Sequence, residues 1–191
     1  MASRTRIIGA VIIGLTTVML ATACASTDST SSDAWLDAYS LDDLGTREVI
    51  ERLEAMPVDD RPADLMASLE PDALLLSDDA GNQASLDMPK DKFYVSIAPY
   101  ADQTHDCYFH SLTTCLGELD NEDIQVTITD TADDTVLVDE SVRTQDNGFA
   151  GVWLPRGIDA TVTIERAGES ARMPISTKDD DPTCLTTLQL A

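Results

Sequence analysis

Ile124-Gln125-Val126-Thr127-Ile128-Thr129 alternates an apolar residue with a polar one over its whole length, and Ala160-Thr161-Val162-Thr163-Ile164-Glu165 repeats the pattern. A period of two puts every apolar side chain on one face of an extended segment, the signature of a strand with one buried face. Working outward, Phe93 to Ile97, Val136 to Val138, Phe149 to Leu154, Met173 with Ile175, and Cys184 to Leu190 are further short runs of this kind. Turn residues separate them: Asn147-Gly148, read as a hairpin signal, and Ala167-Gly168-Glu169. Short strands with turns about every 8–12 residues predict an antiparallel β-sandwich over residues 90–191.

Upstream the period changes. Thr46 is placed to cap a segment whose Val49, Ile50, Leu53 and Met56 share one helix face, and Pro57 stops it. Asp60 with Pro62 is placed to open a second short helix with Leu65, Met66 and Leu69 inward, closed by Pro71. Leu74-Leu75-Leu76 is an apolar run before the turn Asp78 to Asn82. The fold class is therefore α+β: a mainly helical region over 34–89, then a β-rich domain over 90–191, dividing near Met88-Pro89. Two short helices bury little apolar surface alone, which makes residues 34–89 a candidate dimer contact.

The first residues are an address. Arg4 and Arg6 precede 17 uncharged residues, Ile7 to Ala23, that end in small side chains. That is the layout of a signal peptide, and it is short of the ~20 apolar residues of a membrane span. Leu20-Ala21-Thr22-Ala23-Cys24 resembles a bacterial lipobox, so residues 1–23 are expected to be removed and Cys24 lipidated. Ala25 to Asp33 then reads as a polar tether. The expected location is outside the cytoplasm, anchored by lipid to the outer face of the cell membrane or held in the periplasm.

The formal net charge is −23; loss of residues 1–23 removes two arginines and no acid, leaving −25. Such a surface repels phosphate backbones and excludes nucleic acid as a partner. It is read as a solvated face. No acidic spacing of the calcium-loop type occurs.

With Cys24 lipidated, Cys107, Cys115 and Cys184 remain, an odd number for an oxidising compartment. The chain's two histidines, His105 and His110, stand beside the first two. Eight positions separate Cys107 from Cys115: ~26 Å in a strand and ~12 Å in a helix, against the ~5.5–6 Å between Cα atoms that a disulfide requires. If their sulfurs meet, the segment folds back. Cys107 and His110, spaced i, i+3, share one side of a single helical turn. The sulfur and imidazole donors suit Cu(I) or Zn(II). On spacing alone a disulfide with a spare thiol, a metal site and thiol catalysis all stand. Met88, Met173, Phe149 and Trp153 read as core.

Tyr94 to Tyr100, Thr104-His105-Asp106-Cys107-Tyr108-Phe109-His110-Ser111-Leu112-Thr113-Thr114-Cys115, Gly148 to Arg156 and Asp181 to Leu188 together resemble the periplasmic copper-binding family CueP. The resemblance implies an envelope protein of copper tolerance that holds copper, as Cu(I) before zinc. It implies the ligands Cys107, His110, Cys115 and Cys184; His105, by its place beside them, is a further candidate. It also implies passage of copper to a cuproprotein such as Cu,Zn superoxide dismutase, a homodimer through the N-terminal part, and thiol-dependent Cu(II) reduction rather than enzymatic turnover. The competing reading is a disulfide-stabilised cell-surface binding module without metal.

Overall fold

The computed structural model describes residues 34–191. The expected signal peptide, Cys24 and the expected tether lie outside the described residues. Among the described residues no helix is long and apolar enough to cross a membrane.

The chain starts with a 3-10 helix, Ala34–Tyr39, and helix α1, Thr46–Glu54. Gly45, not Thr46, occupies the cap position, where its backbone N–H donates to the Glu48 carboxylate at 2.9 Å. The Thr46 hydroxyl instead donates to the carbonyl of Asp87. Val49, Ile50 and Leu53 form the buried face of α1, as the period predicts. A 3-10 turn, Val58–Asp60, follows.

The second helix expected after it does not form. Leu65–Leu69 is strand β1, paired antiparallel with β2, Ala73–Asp78, which pairs with β3, Gln83–Asp87. Leu65, Ala67 and Leu69 are buried and Met66 is exposed, a period of two that five residues cannot distinguish from one helical face. The Leu74 to Leu76 run supplies the pairing that decides it.

Eight further strands follow: β4 Lys92–Ile97, β5 His110–Ser111, β6 Asp123–Asp130, β7 Val136–Arg143, β8 Ala150–Pro155, β9 Asp159–Arg166, β10 Glu169–Ser176 and β11 Cys184–Leu185. One sheet runs β10-β9-β6-β7, a second β11-β4-β8 and a third β3-β2-β1-β5. The first two enclose a core of Phe93, Val95 and Ile97 with Ile124, Val126, Ile128, Val162 and Ile164. This is the sandwich that the alternating segments predict. Two details differ. The last strand is only Cys184–Leu185 and lies parallel to β4, and the Asn147-Gly148 turn joins strands of different sheets rather than a hairpin.

Alternation on β4 makes it a shared wall. Phe93, Val95 and Ile97 enter the sandwich, while Tyr94 joins the other core, built from Val49, Ile50, Leu53, Leu65, Leu69, Leu74 and Leu112. Strand β5 ties the middle of the chain to that second core, because Leu69 pairs with His110 and Ser68 with Ser111. One sheet thus contains strands from both sides of position 89.

Two loops cross at glycines beside this wall. Gly117 N–H donates to Asn147 O at 2.7 Å. A Cβ on Gly148, at φ +78°, would lie 2.7 Å from Gly117 backbone, whereas Gly157, at φ +80°, has open space. Gly157→Ala is therefore expected to cost only the left-handed penalty of about 1–2 kcal/mol. Gly148→Ala is expected to cost a further ~1–3 kcal/mol for the overlap. Urea unfolding of the two variants checks this; equal losses would remove the crossing as a constraint.

Candidate metal centre

The segment that carries the sulfurs folds back as a loop, not as the helical turn expected for Cys107 and His110. Leu112 N–H donates to Ala67 O, and Cys115 N–H donates to Ser111 O at 3.1 Å, closing a tight turn that returns Cys115 toward Cys107. Cys184 reaches the same place from the C-terminal end. Its N–H and that of Thr183 both donate to the Tyr108 carbonyl, while β11 lies against Ser96 and Ile97.

Cys107, His110, Cys115 and Cys184 each bring one ligand atom, and all four lie within 4.8 Å of one another. Cys107 and Cys184 form a disulfide. Cys115 is free and half-buried, with its Sγ 3.7 Å from Cys107 Sγ. His110 Nδ1 lies 3.7 Å from Cys184 Sγ. His105 stands outside this group: it is exposed, and its carbonyl accepts the Thr186 hydroxyl. Phe149, read from sequence as sandwich core, is instead a wall of the site, with its ring 4.4 Å from the His110 ring. Trp153 packs beside the second core, against Tyr94.

The far side of His110 is held by a residue that sequence reading passed over. Glu54, the last residue of α1, is 3% exposed. Its Oε1 lies 3.2 Å from His110 Nε2 and accepts Asn147 Nδ2 at 2.9 Å, while Oε2 accepts the Ser96 hydroxyl at 2.7 Å. Asn147 in turn accepts the Phe149 N–H. The carboxylate fixes the proton on Nε2, which leaves Nδ1 facing the sulfurs. One signal for Glu54 was on the page: it lies four residues after Ile50, a carboxylate beside the apolar stripe. Asn147 was hidden by its reading as a turn residue.

These contacts set the protonation states. Burial works against a charged imidazole, but the Glu54 charge and the hydrogen bonds with Cys115 and Glu54 outweigh it and push His110 up to about 9. Burial opposes ionisation of Glu54 too, yet its pKa is lowered by the His110 charge and by its donors. The Cys115 thiol, raised by burial, is brought below its ordinary value by His110 and by the Ser111 N–H. Such surroundings favour the thiolate form of Cys115.

A raised His110 stabilises the fold fully below its unfolded value of 6.5, and this contribution is lost as pH rises toward 9. The lowered Cys115 acts in the opposite sense, with a contribution lost as pH falls through its folded value. Cys115→Ser removes that opposition together with the Cys115 share of the His110 shift, so the Glu54 share is expected to leave a shallower fall in melting temperature as pH rises above 6.5. His110→Gln in the same background is expected to flatten the slope. A flat profile in Cys115→Ser itself would mean that Glu54 alone does not hold a buried imidazolium.

Comparison with known proteins bears on the same residues. The family model described as periplasmic copper-binding protein CueP matches residues 48–189, which contain the whole cluster. A solved structure described as the crystal structure of S.CueP is similar at 36% identity and a TM-score of 0.78, covering 84% of this chain and 98% of that one. No curated protein matches. The chain belongs to the CueP family of periplasmic copper-binding proteins.

Proposed function

We propose that this protein holds copper outside the cytoplasm as Cu(I), on the thiolates of Cys107, Cys115 and Cys184, with His110 Nδ1 completing the shell. The observation that carries this reading is the convergence of four soft or borderline donors within 4.8 Å, half open to solvent through Cys107 and Cys115. Thiolate and imidazole donors favour Cu(I); zinc suits the same donor set and is the weaker competitor.

The disulfide makes oxidation and loading alternatives. With Cys107 joined to Cys184, only Cys115 keeps a free sulfur, and His110 Nδ1 offers a lone pair once its proton is lost. The reduced site also has the electrons to convert Cu(II). Two Cu(II) ions each take one electron from the Cys107 and Cys184 thiols, giving two Cu(I), one disulfide and two protons. Another cycle requires an external dithiol reductant, so this is a stoichiometric step rather than turnover.

The recipient we favour is a cuproenzyme such as Cu,Zn superoxide dismutase, approached at the open edge where Tyr108 and Phe109 are exposed. Cys24 lipidation would hold the exchange at the membrane, and a Cys24→Ala form is expected in the soluble envelope fraction. Self-association through residues 34–89 would use the outer face of β1 and β2, where Met66 and Leu75 are exposed. The disulfide itself favours the second reading, a stapled surface module without metal.

Anaerobic competition for Cu(I) against a chromogenic chelator separates the two readings. The reduced secreted form is expected to compete, Cys107→Ser and Cys115→Ser to lose most of that affinity, and Glu54→Gln to lose about 10–100-fold through the misplaced His110. Competition by none of them would leave the cysteines as structural sulfurs.

A further inference from the structure

Arg61 follows the Val58–Asp60 turn and reaches the sulfur site from the N-terminal part of the chain. Its Nη1 donates to the carbonyl of Cys115 at 2.9 Å. Its Nε and Nη2 are buried and have no hydrogen-bond partner among the described residues. A guanidinium keeps its charge at all physiological pH and offers five donors in a fixed plane. Two of them buried and unmet cost stability, and native folds keep such groups rare.

The charges around it give a reason. Glu54, Cys115 and Asp146 are the anionic groups whose fields act on Arg61. Glu54 meets His110 Nε2 at 3.2 Å. Asp146 is committed to the Val58 N–H and to Asn121. The Cys115 turn is the part of the cluster that Arg61 touches, through its carbonyl. Reducing the disulfide adds two ionisable sulfurs there, and a cuprous ion on three thiolates carries two net negative charges. Half-buried negative charge of that size is costly unless a cation stands by.

We infer that Arg61 is a positioning residue of this site: it holds the Cys115 turn by its carbonyl and supplies the fixed positive charge that favours the reduced, thiolate-rich state. The metal half of this inference rests on the copper reading above; the redox half does not.

Three substitutions separate the parts. Arg61→Gln keeps a donor for the Cys115 carbonyl and removes the charge. Arg61→Met keeps the apolar stem and removes both, and carries the test should the glutamine variant not fold. Arg61→Lys keeps the charge. The secreted protein, without copper, is equilibrated with dithiothreitol, which passes two electrons and two protons to the Cys107–Cys184 disulfide and becomes the cyclic disulfide. The equilibrium constant for reduction is expected to fall about tenfold in the two neutral variants and to stay within about threefold of the parent in Arg61→Lys; tenfold is about 1.4 kcal/mol. Near-ultraviolet circular dichroism checks that each variant is folded. Equal constants in all four proteins would overturn the inference, and so would an equal fall in Arg61→Lys, since a merely structural arginine predicts no rescue by charge.

Cu(I) competition on the same set adds the metal half. Affinity is expected to weaken about tenfold in Arg61→Gln and to be kept in Arg61→Lys; the reverse order would overturn that half. A parent protein that binds no Cu(I) would count against the copper reading alone and leave the redox result standing.

Discussion

The structure turns on a buried charge pair. Glu54 and His110 are 3% and 0% exposed and meet at 3.2 Å. Each would be costly alone in the interior; removing one partner of such a pair typically costs ~3–5 kcal/mol, because the other charge is stranded. The pair is tolerated because the Ser96 hydroxyl and Asn147 Nδ2 donate to the carboxylate, while the His110 backbone N–H donates to the Thr183 hydroxyl. Those partners come from β4, the loop before β8, and the segment before β11. The helix, the middle sheet and the site loop therefore have to assemble together for any of them to be satisfied.

That requirement explains why the site is where it is. Strand β4 faces two cores at once, one through Phe93, Val95 and Ile97, the other through Tyr94. Ser96 lies on the same side as Tyr94 and reaches Glu54. Strand β5 delivers His110 by pairing with β1, and β11 delivers Cys184 by pairing with β4. Three sulfurs and one imidazole then share a space that no single element could supply. Chemically the cluster has two alternatives, a disulfide with a low-pKa thiol beside it, or a set of thiolates free for a soft cation. The Cys107 and Cys184 sulfurs belong to both, so the disulfide withdraws them from the second.

The surface and the site follow different electrostatic rules. The chain carries −23 overall, spread over exposed carboxylates that water screens. At the site the charges are few, close and matched: Glu54 against His110, Arg61 beside Cys115. The acidic exterior is a solvated face, whereas the soft sulfur and nitrogen donors are gathered inside.

Residue pattern by itself determined much of this protein. The alternation at Ile124 to Thr129 and Ala160 to Glu165 fixed the sandwich, because a period of two has one structural meaning over six residues or more. The crowding of Cys107, His110 and Cys115 marked the site, and their order with Cys184 carried the family resemblance. Shorter patterns were not decisive. Leu65 to Leu69 fits a helix face or a strand until β2 is laid beside it. Asn147-Gly148 reads as a hairpin until the strands it joins are seen in different sheets. Tertiary structure alone decided that Cys184 and not Cys115 bonds to Cys107, that His105 stays outside, and that Glu54 and Asn147 orient His110. The reason is physical: periodicity records which face of a segment avoids water, whereas a buried polar partner is chosen by which distant segments the closed fold brings within hydrogen-bond reach.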